Sequence, residues 1–275
     1  MYQLKADRGN IRNRLFEFFR KQKSPQSNEW LLPRIQMGDI HRLFTDDLKD
    51  APGYAYERFY TIVNEIIWEF ANNGFIYFGT AGSAGDSYPH ITITEYGREI
   101  FNSEKWLPYD PDGYLKNLKA AVPELDDVTL AYIGEAVSAF NRRQLLSATL
   151  TLGVASENLM LLLIENYVAS LVMTRKTALQ KKIADRWIAT QYREFRAEFE
   201  KDIRKLPKNL QGDWETYLDA VFHFIRLNRN SAGHPTGKEL SGKMVNANLQ
   251  IFADYSRYIF DLIKHFNSQL EQSAK

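Results

Sequence analysis

The sequence predicts a mainly α-helical protein in two parts: helices plus a β-hairpin, followed by an all-α helical bundle. Three patterns carry this expectation. Apolar residues recur at helical spacing, most clearly Phe59, Ile62, Val63, Ile66, Ile67 and Phe70, which form one broad stripe. Two short runs rich in strand formers, Phe75-Ile76-Tyr77-Phe78 and Ile91-Thr92-Ile93-Thr94, flank a Gly/Ser/Ala loop, as the arms of a hairpin do. Residues 145–173 are apolar around most of a helical circumference, which is normal only for a helix at the centre of a bundle.

Taken in order, Ile11, Leu15, Phe18 and Phe19 mark one helix face, with Asn10 as its N-cap. Residues 21–28 read as a loop. Helices are expected over 33–44 and 56–71, separated by a turn at Pro52-Gly53. The hairpin follows. Residues 105–123, punctuated by Trp106, Pro108, Pro111 and Gly113, read as a linker, which places the domains at 1–112 and 113–275. Val128, Ile133, Val137 and Phe140 mark the next helix, with Asp126 and Asp127 as cap candidates. After the apolar helix comes a charged helical stretch over 183–206, ended by Pro207. Helices over 213–230 and 246–270 close the bundle.

Composition narrows the chemistry. A chain of 275 residues accommodates two domains, and the absence of cysteine excludes disulfides and thiolate sites. Residues 1–23 lack the apolar block of a secretory signal, and residues 159–173 are interrupted by Glu165 and Asn166. The expectation is a cytoplasmic protein without membrane contact. His41, His90, His223 and His265 are scattered without metal-ligand spacing, and no phosphate-cradling glycine motif occurs, so neither metal nor cofactor is expected. Net charge is only +1, yet residues 174–208 hold 11 Lys/Arg against 5 Asp/Glu, and residues 1–23 hold 7 against 2. Such excesses serve either a phosphate backbone or a solvated helix face. Trp187, Tyr192 and Phe195 lie in the first of them, as core residues or as stacking surfaces for unpaired bases.

The candidate site is the run Arg226-Leu227-Asn228-Arg229-Asn230-Ser231-Ala232-Gly233-His234-Pro235 at the end of an apolar-periodic helix. Arg229 offers a permanent forked cation, His234 a proton carrier near neutral pH, and Asn230 an amide that can orient either. The combination suits phosphodiester cleavage, in which charge builds on phosphate oxygens while protons move between hydroxyls. The simpler reading is a polar helix end whose side chains bond the last carbonyls. Glu157 and Glu165 sit on the apolar helix and need partners if buried; Glu157 is the candidate to hold Arg229. Arg226, one turn before Arg229, is a candidate second phosphate contact or a surface-covering stem.

Arg229, Asn230 and His234 spell R-N-x-x-x-H. Set between the last two long helices of an all-α region, this resembles the HEPN family over about residues 120–270. Many members of that family are metal-independent ribonucleases. The resemblance implies RNA cleavage by 2′-hydroxyl attack, giving 2′,3′-cyclic phosphate and 5′-hydroxyl ends. It also implies a homodimer through the C-terminal domain, since one histidine cannot serve as both acid and base, and a toxin or phage-defence setting. Members that receive a nucleotide modification carry tyrosine four residues past the histidine; here Lys238 stands there. The run Ile91-Thr92-Ile93-Thr94-Glu95-Tyr96-Gly97-Arg98-Glu99-Ile100-Phe101 resembles the end of the wing and the next helix of winged helix-turn-helix domains, over about residues 8–105. In such domains the helix before the wing reads DNA, but here it carries Glu57, Glu65 and Glu69 against Arg58, which would repel phosphates. DNA, RNA and protein all stand as partners of that domain. The competing function is a non-catalytic dimerisation or RNA-binding bundle fused to a winged-helix regulator.

Overall fold

The computed structural model describes residues 7–22, 35–49, 51–79, 90–102, 111–233 and 240–273. The chain is mainly helical and forms two compact units, Met1–Tyr114 and Leu115–Lys275. The loop expected at 21–28, the hairpin tip and much of the expected linker lie largely outside the described residues, as does His234.

The first unit contains α1 (Arg8–Arg20), β1 (Ile35–Gln36), α2 (Met37–Arg42), α3 (Gly53–Asn72), β2 (Ile76–Phe78), β3 (His90–Ile93) and α4 (Glu95–Asn102). Asp7, not Asn10, caps α1: its carboxylate accepts the Asn10 amide at 2.8 Å. The helix expected over 33–44 is partly a strand, because Ile35 and Gln36 pair with Ile91 and His90 on the open edge of β3. The sheet is therefore three-stranded and antiparallel, in the order β1-β3-β2. Helix α4 starts tightly. Thr94 Oγ1 donates to Gly74 O at 2.6 Å and accepts the Gly97 amide at 2.8 Å. A Cβ at Gly97 would lie 1.9 Å from the Phe75 carbonyl oxygen, so only glycine fits there.

Two kinds of contact hold this unit. Phe16, Phe19, Phe70, Phe75 and Phe101 form a buried aromatic cluster, with Phe19 stacked on Phe101 at 5.3 Å. Arg8 pairs with Glu65 and Glu69, Arg12 with Glu69, and Arg14 with Asp47 at 2.6 Å. A buried phenylalanine contributes about 1.5–3 kcal/mol and a partly exposed ion pair such as Arg8–Glu65 about 0–1 kcal/mol, so the five rings outweigh these pairs; Arg12, itself buried, depends on Glu69 as its partner. The arginines still matter for function: much of the N-terminal basic excess is occupied by internal carboxylates, two of them on α3.

The second unit contains α6 (Asp127–Asn141), α7 (Leu145–Ser170), α8 (Met173–Ile183), α9 (Ile188–Phe199), α10 (Lys208–Gln211), α11 (Phe222–Gly233) and α12 (Gly242–Ser273); α5 (Pro111–Ala121) precedes them. Part of the expected linker is thus helical. Pro111 stands first in α5, where its fixed φ suits a helix start, and Leu118, Val122 and Leu125 are buried. Asp126 caps α6 by accepting the Thr129 amide at 2.9 Å and also takes Asn158 Nδ2 of α7 at 3.0 Å. Helix α7 packs against α6, α11 and α12. α7 is long and apolar enough to cross a membrane, but 56% of its apolar window is buried inside the protein. That is compatible with a soluble protein.

The charged stretch expected over 183–206 is not one helix. α8 ends at Ile183, and the chain turns with Asp185 in the left-handed region at φ 54°. α9 then starts at Ile188. The helix expected over 213–230 opens with a π-helical segment, Glu215–Val221, before α11. Such wide turns are rare and tend to occur near functional sites. Here Asp219 accepts the Tyr192 hydroxyl and pairs with Arg196 at 2.8 Å, fixing the segment to α9.

Candidate functional site

Helix α11 lies along α7 with Ile225 and Asn228 buried and Arg226, Arg229 and Asn230 at its partly exposed border. What brings Arg229 close is a glycine. A Cβ built at Gly153 of α7 would fall 2.4 Å from Arg229 Cγ and 2.5 Å from its Cβ. The arginine stem therefore occupies the place of a side chain on α7. Glu157 is one helical turn further along the same face of α7, so its carboxylate meets the guanidinium. Arg229 Nη2 lies 3.6 Å from Glu157 Oε2, an ion pair longer than a hydrogen bond. On the other branch, Nη1 donates to Asn230 Oδ1 at 3.2 Å.

The site is only partly satisfied. The Arg229 side chain is 37% exposed and that of Glu157 15%. Glu157 Oε1 and Asn228 Nδ2 are buried without hydrogen-bond partners among the described residues, as are Ser156 Oγ and Asn248 Oδ1. An orphaned buried donor or acceptor costs about 1–3 kcal/mol, so the free oxygen of Glu157, the carboxylate that meets Arg229, calls for water or a ligand group. Behind Glu157, Tyr255 donates its hydroxyl to the Ser156 carbonyl at 3.2 Å. Burial pushes the Tyr255 phenol well above its ordinary range, the Ser156 bond opposes this, and the Glu157 charge adds to it, so Tyr255 stays a neutral donor.

The structure brings Arg229, Asn230 and Glu157 together. Arg226 forms no ion pair among the described residues. Glu165 is exposed on α7, so only Glu157 meets the arginine. His234 follows directly after the last residue of α11. Among the described residues no three His, Asp or Glu side chains converge as a metal site requires. Gly153 and Asn228 were not singled out from sequence. The available signal for Gly153 was a glycine four residues before the only acid in the first half of an apolar helix.

A partly exposed guanidinium with unsatisfied donors, loosely paired to a largely buried carboxylate, can bind a phosphate-sized anion and release the carboxylate from its pairing. The chain matches no protein-family model, no curated protein and no solved structure at a significant level.

Proposed function

We propose that this protein is a metal-independent endoribonuclease of the HEPN kind, with an N-terminal unit of winged helix-turn-helix type. The observation that carries the reading is the seat of Arg229: recessed onto Gly153, held loosely by Glu157 and Asn230, half open, and five residues before His234. In the first unit, the order α1, β1, α2, α3, β2, β3 supports the winged-helix reading.

The reaction is an in-line displacement. The ribose 2′-oxygen bonds to the neighbouring phosphorus as its proton passes to a base, and the P–O5′ bond breaks as the 5′-oxygen takes a proton. The products carry a 2′,3′-cyclic phosphate and a 5′-hydroxyl. Arg229 binds the non-bridging oxygens and offsets their growing charge, Asn230 orients the guanidinium, and Glu157 anchors it until phosphate arrives. His234 carries one proton. Its counterpart in a second copy carries the other, so the active species is a homodimer through the C-terminal unit. The work is cytoplasmic, and expression of the active protein is expected to arrest growth, as a toxin or phage-defence effector would.

The test is direct. RNA incubated with the purified protein in EDTA should be cut, leaving cyclic-phosphate ends, and His234→Ala should abolish cutting while preserving the melting temperature. No cutting by the wild-type dimer across varied RNAs sinks the proposal. A second reading, a non-catalytic RNA-binding bundle fused to a winged-helix regulator, draws on the pairing of Glu65 and Glu69 with Arg8 and Arg12. That pairing removes two of the three repulsive charges on α3. RNA or DNA binding without cleavage by either protein selects it.

A further inference from the structure

The turn between α8 and α9 presents a tryptophan to solvent in a basic setting. Trp187 is 87% exposed, while its neighbours in the same aromatic series, Tyr192 and Phe195, are buried in the core. Leaving an indole in water forfeits its burial energy. The backbone beside it is held by specific contacts. Asp185 adopts φ 54°, in the left-handed region that aspartate tolerates better than most residues other than glycine. Gln191 Nε2 donates to the Arg186 carbonyl at 2.7 Å, and the Trp187 carbonyl accepts the amides of Thr190 and Gln191. The turn is fixed, and it holds the indole outward.

The charge around it is one-sided. Between residues 174 and 193 the chain has Arg175, Lys176, Lys181, Lys182, Arg186 and Arg193 against Asp185 alone. Arg175 is occupied by Glu198 and Asp202, and Glu194 lies 3.7 Å from Lys182 and 3.2 Å from Arg193. Lys181 and Arg186 are exposed and form no ion pair among the described residues. An exposed indole in a turn, with Arg186 next to it in sequence and Lys181 and Lys182 in the last turn of the preceding helix, matches one chemistry above others: an unpaired base flanked by phosphates. Polar strands stack on such faces without sequence preference, whereas a protein partner would need these lysines matched by acids.

We propose that Trp187, with Lys181, Lys182 and Arg186, is a stacking platform for single-stranded RNA outside the Arg229 site. α9 carries this platform at one end and, through Tyr192, rests on Phe222 and His223 at the start of α11, so one helix links it to the helix of the candidate site. The choice of RNA rests on the ribonuclease reading; the binding of a single strand does not.

The test is a titration of the His234→Ala protein with oligouridylate and with oligodeoxythymidylate, read by indole fluorescence and by anisotropy of a labelled strand. Binding should quench the indole, and Trp187→Ala should remove that quench and weaken affinity about tenfold, with Trp187→Phe close to the parent. Trp187→Ala should leave the melting temperature unchanged, because the side chain packs against little. Lys181→Gln with Arg186→Gln should lower the slope of log affinity on log salt by roughly 1.4, about 0.7 for each phosphate left without its cation. Tighter binding of the RNA strand assigns RNA; equal binding assigns any single strand, and the platform stands in both cases. Trp187→Ala binding like its parent overturns the proposal. So does loss of self-association in Trp187→Ala with unchanged strand binding, which assigns the face to a second copy. Cleavage by the wild-type protein is scored separately, so a silent ribonuclease with an intact quench, or an active one without it, tells the two readings apart.

Discussion

Two arginines on the C-terminal unit make opposite use of nearly the same exposure. Arg175 is 30% exposed and fully engaged: Nε donates to Glu198 at 2.6 Å, Nη2 to Asp202 at 2.7 Å and Nη1 to Asp202 at 3.2 Å, while Tyr167 closes the network by donating to Asp202 at 2.9 Å. Arg229 is 37% exposed, meets its carboxylate only at 3.6 Å and shares one donor with a neighbouring amide. Burial does not separate these two guanidiniums. Satisfaction of their donors does. The saturated arginine fastens α8 and α9 together near α7; the unsaturated one is available to a ligand. A lining of Tyr167, Arg175, Asp202, Lys205 and His265 around a cavity of ≈ 170 Å³ therefore reads as structural.

The sharpest way to break this contrast is to remove each arginine and measure both stability and cleavage. Arg229→Ala should lower the rate of RNA cleavage about 100- to 1,000-fold, as loss of a transition-state cation does, while melting within a few degrees of the parent. Arg175→Met should do the reverse. It takes the arginine from two poorly exposed carboxylates that keep only Lys201 on Glu198 and Lys205 and Tyr167 on Asp202, and unfolding in urea should show a loss of about 1–2 kcal/mol, with cleavage per folded molecule unchanged. Equal stability losses for the two variants would erase the distinction.

Gly153→Ala probes the seat rather than the cation. Its new methyl falls on the arginine stem, so overpacking should cost about 1–2 kcal/mol and displace the guanidinium, cutting cleavage about tenfold. Denaturation midpoints and single-turnover rates read the two effects separately. The smallest effect concerns pH. Burial raises the Asp202 carboxyl, but hydrogen bonds from Arg175, Lys205 and Tyr167 outweigh this and hold it at about 2. A lowered folded pKa stabilises above the unfolded value near 3.8 and stops doing so as pH falls toward about 2. Discounted for solvent screening, the loss between pH 5 and pH 2 is about 1 kcal/mol. Asp202→Asn should flatten that part of the stability–pH curve; an unchanged curve would deny the network its charge.

Long periodic elements were legible in the sequence because many residues vote for one face. The stripe at Phe59 to Phe70 marks α3, and the apolar run from Leu145 marks the central helix α7. The cap of α6 was legible as one of two aspartates, Asp126 or Asp127, and it is Asp126 whose carboxylate accepts the Thr129 amide. Short and interrupted elements were not. β1 has two residues, too few to show a period, and exists because β3 offers it an edge. α5 was hidden by the proline and glycine that normally mark a linker, although Pro111 is there a helix starter. The break between α8 and α9 uses Asp185 rather than glycine, so no sequence signal marks it. At the candidate site the residue types were legible and the space was not. A carboxylate on an apolar helix announces a need for a partner, but the close approach that provides one depends on a missing side chain at residue 153.

That bare position has an evolutionary consequence. Glycine inside a helix is less favourable than alanine by about 1 kcal/mol, so mutation toward alanine would strengthen α7 wherever nothing opposes it. In this chain the opposing factor is the stem of Arg229, lodged where the methyl group would go. Descendants and cousins should therefore inherit the two positions as a pair: lineages that keep the arginine keep the glycine, and those that fill residue 153 should have already let the arginine drift.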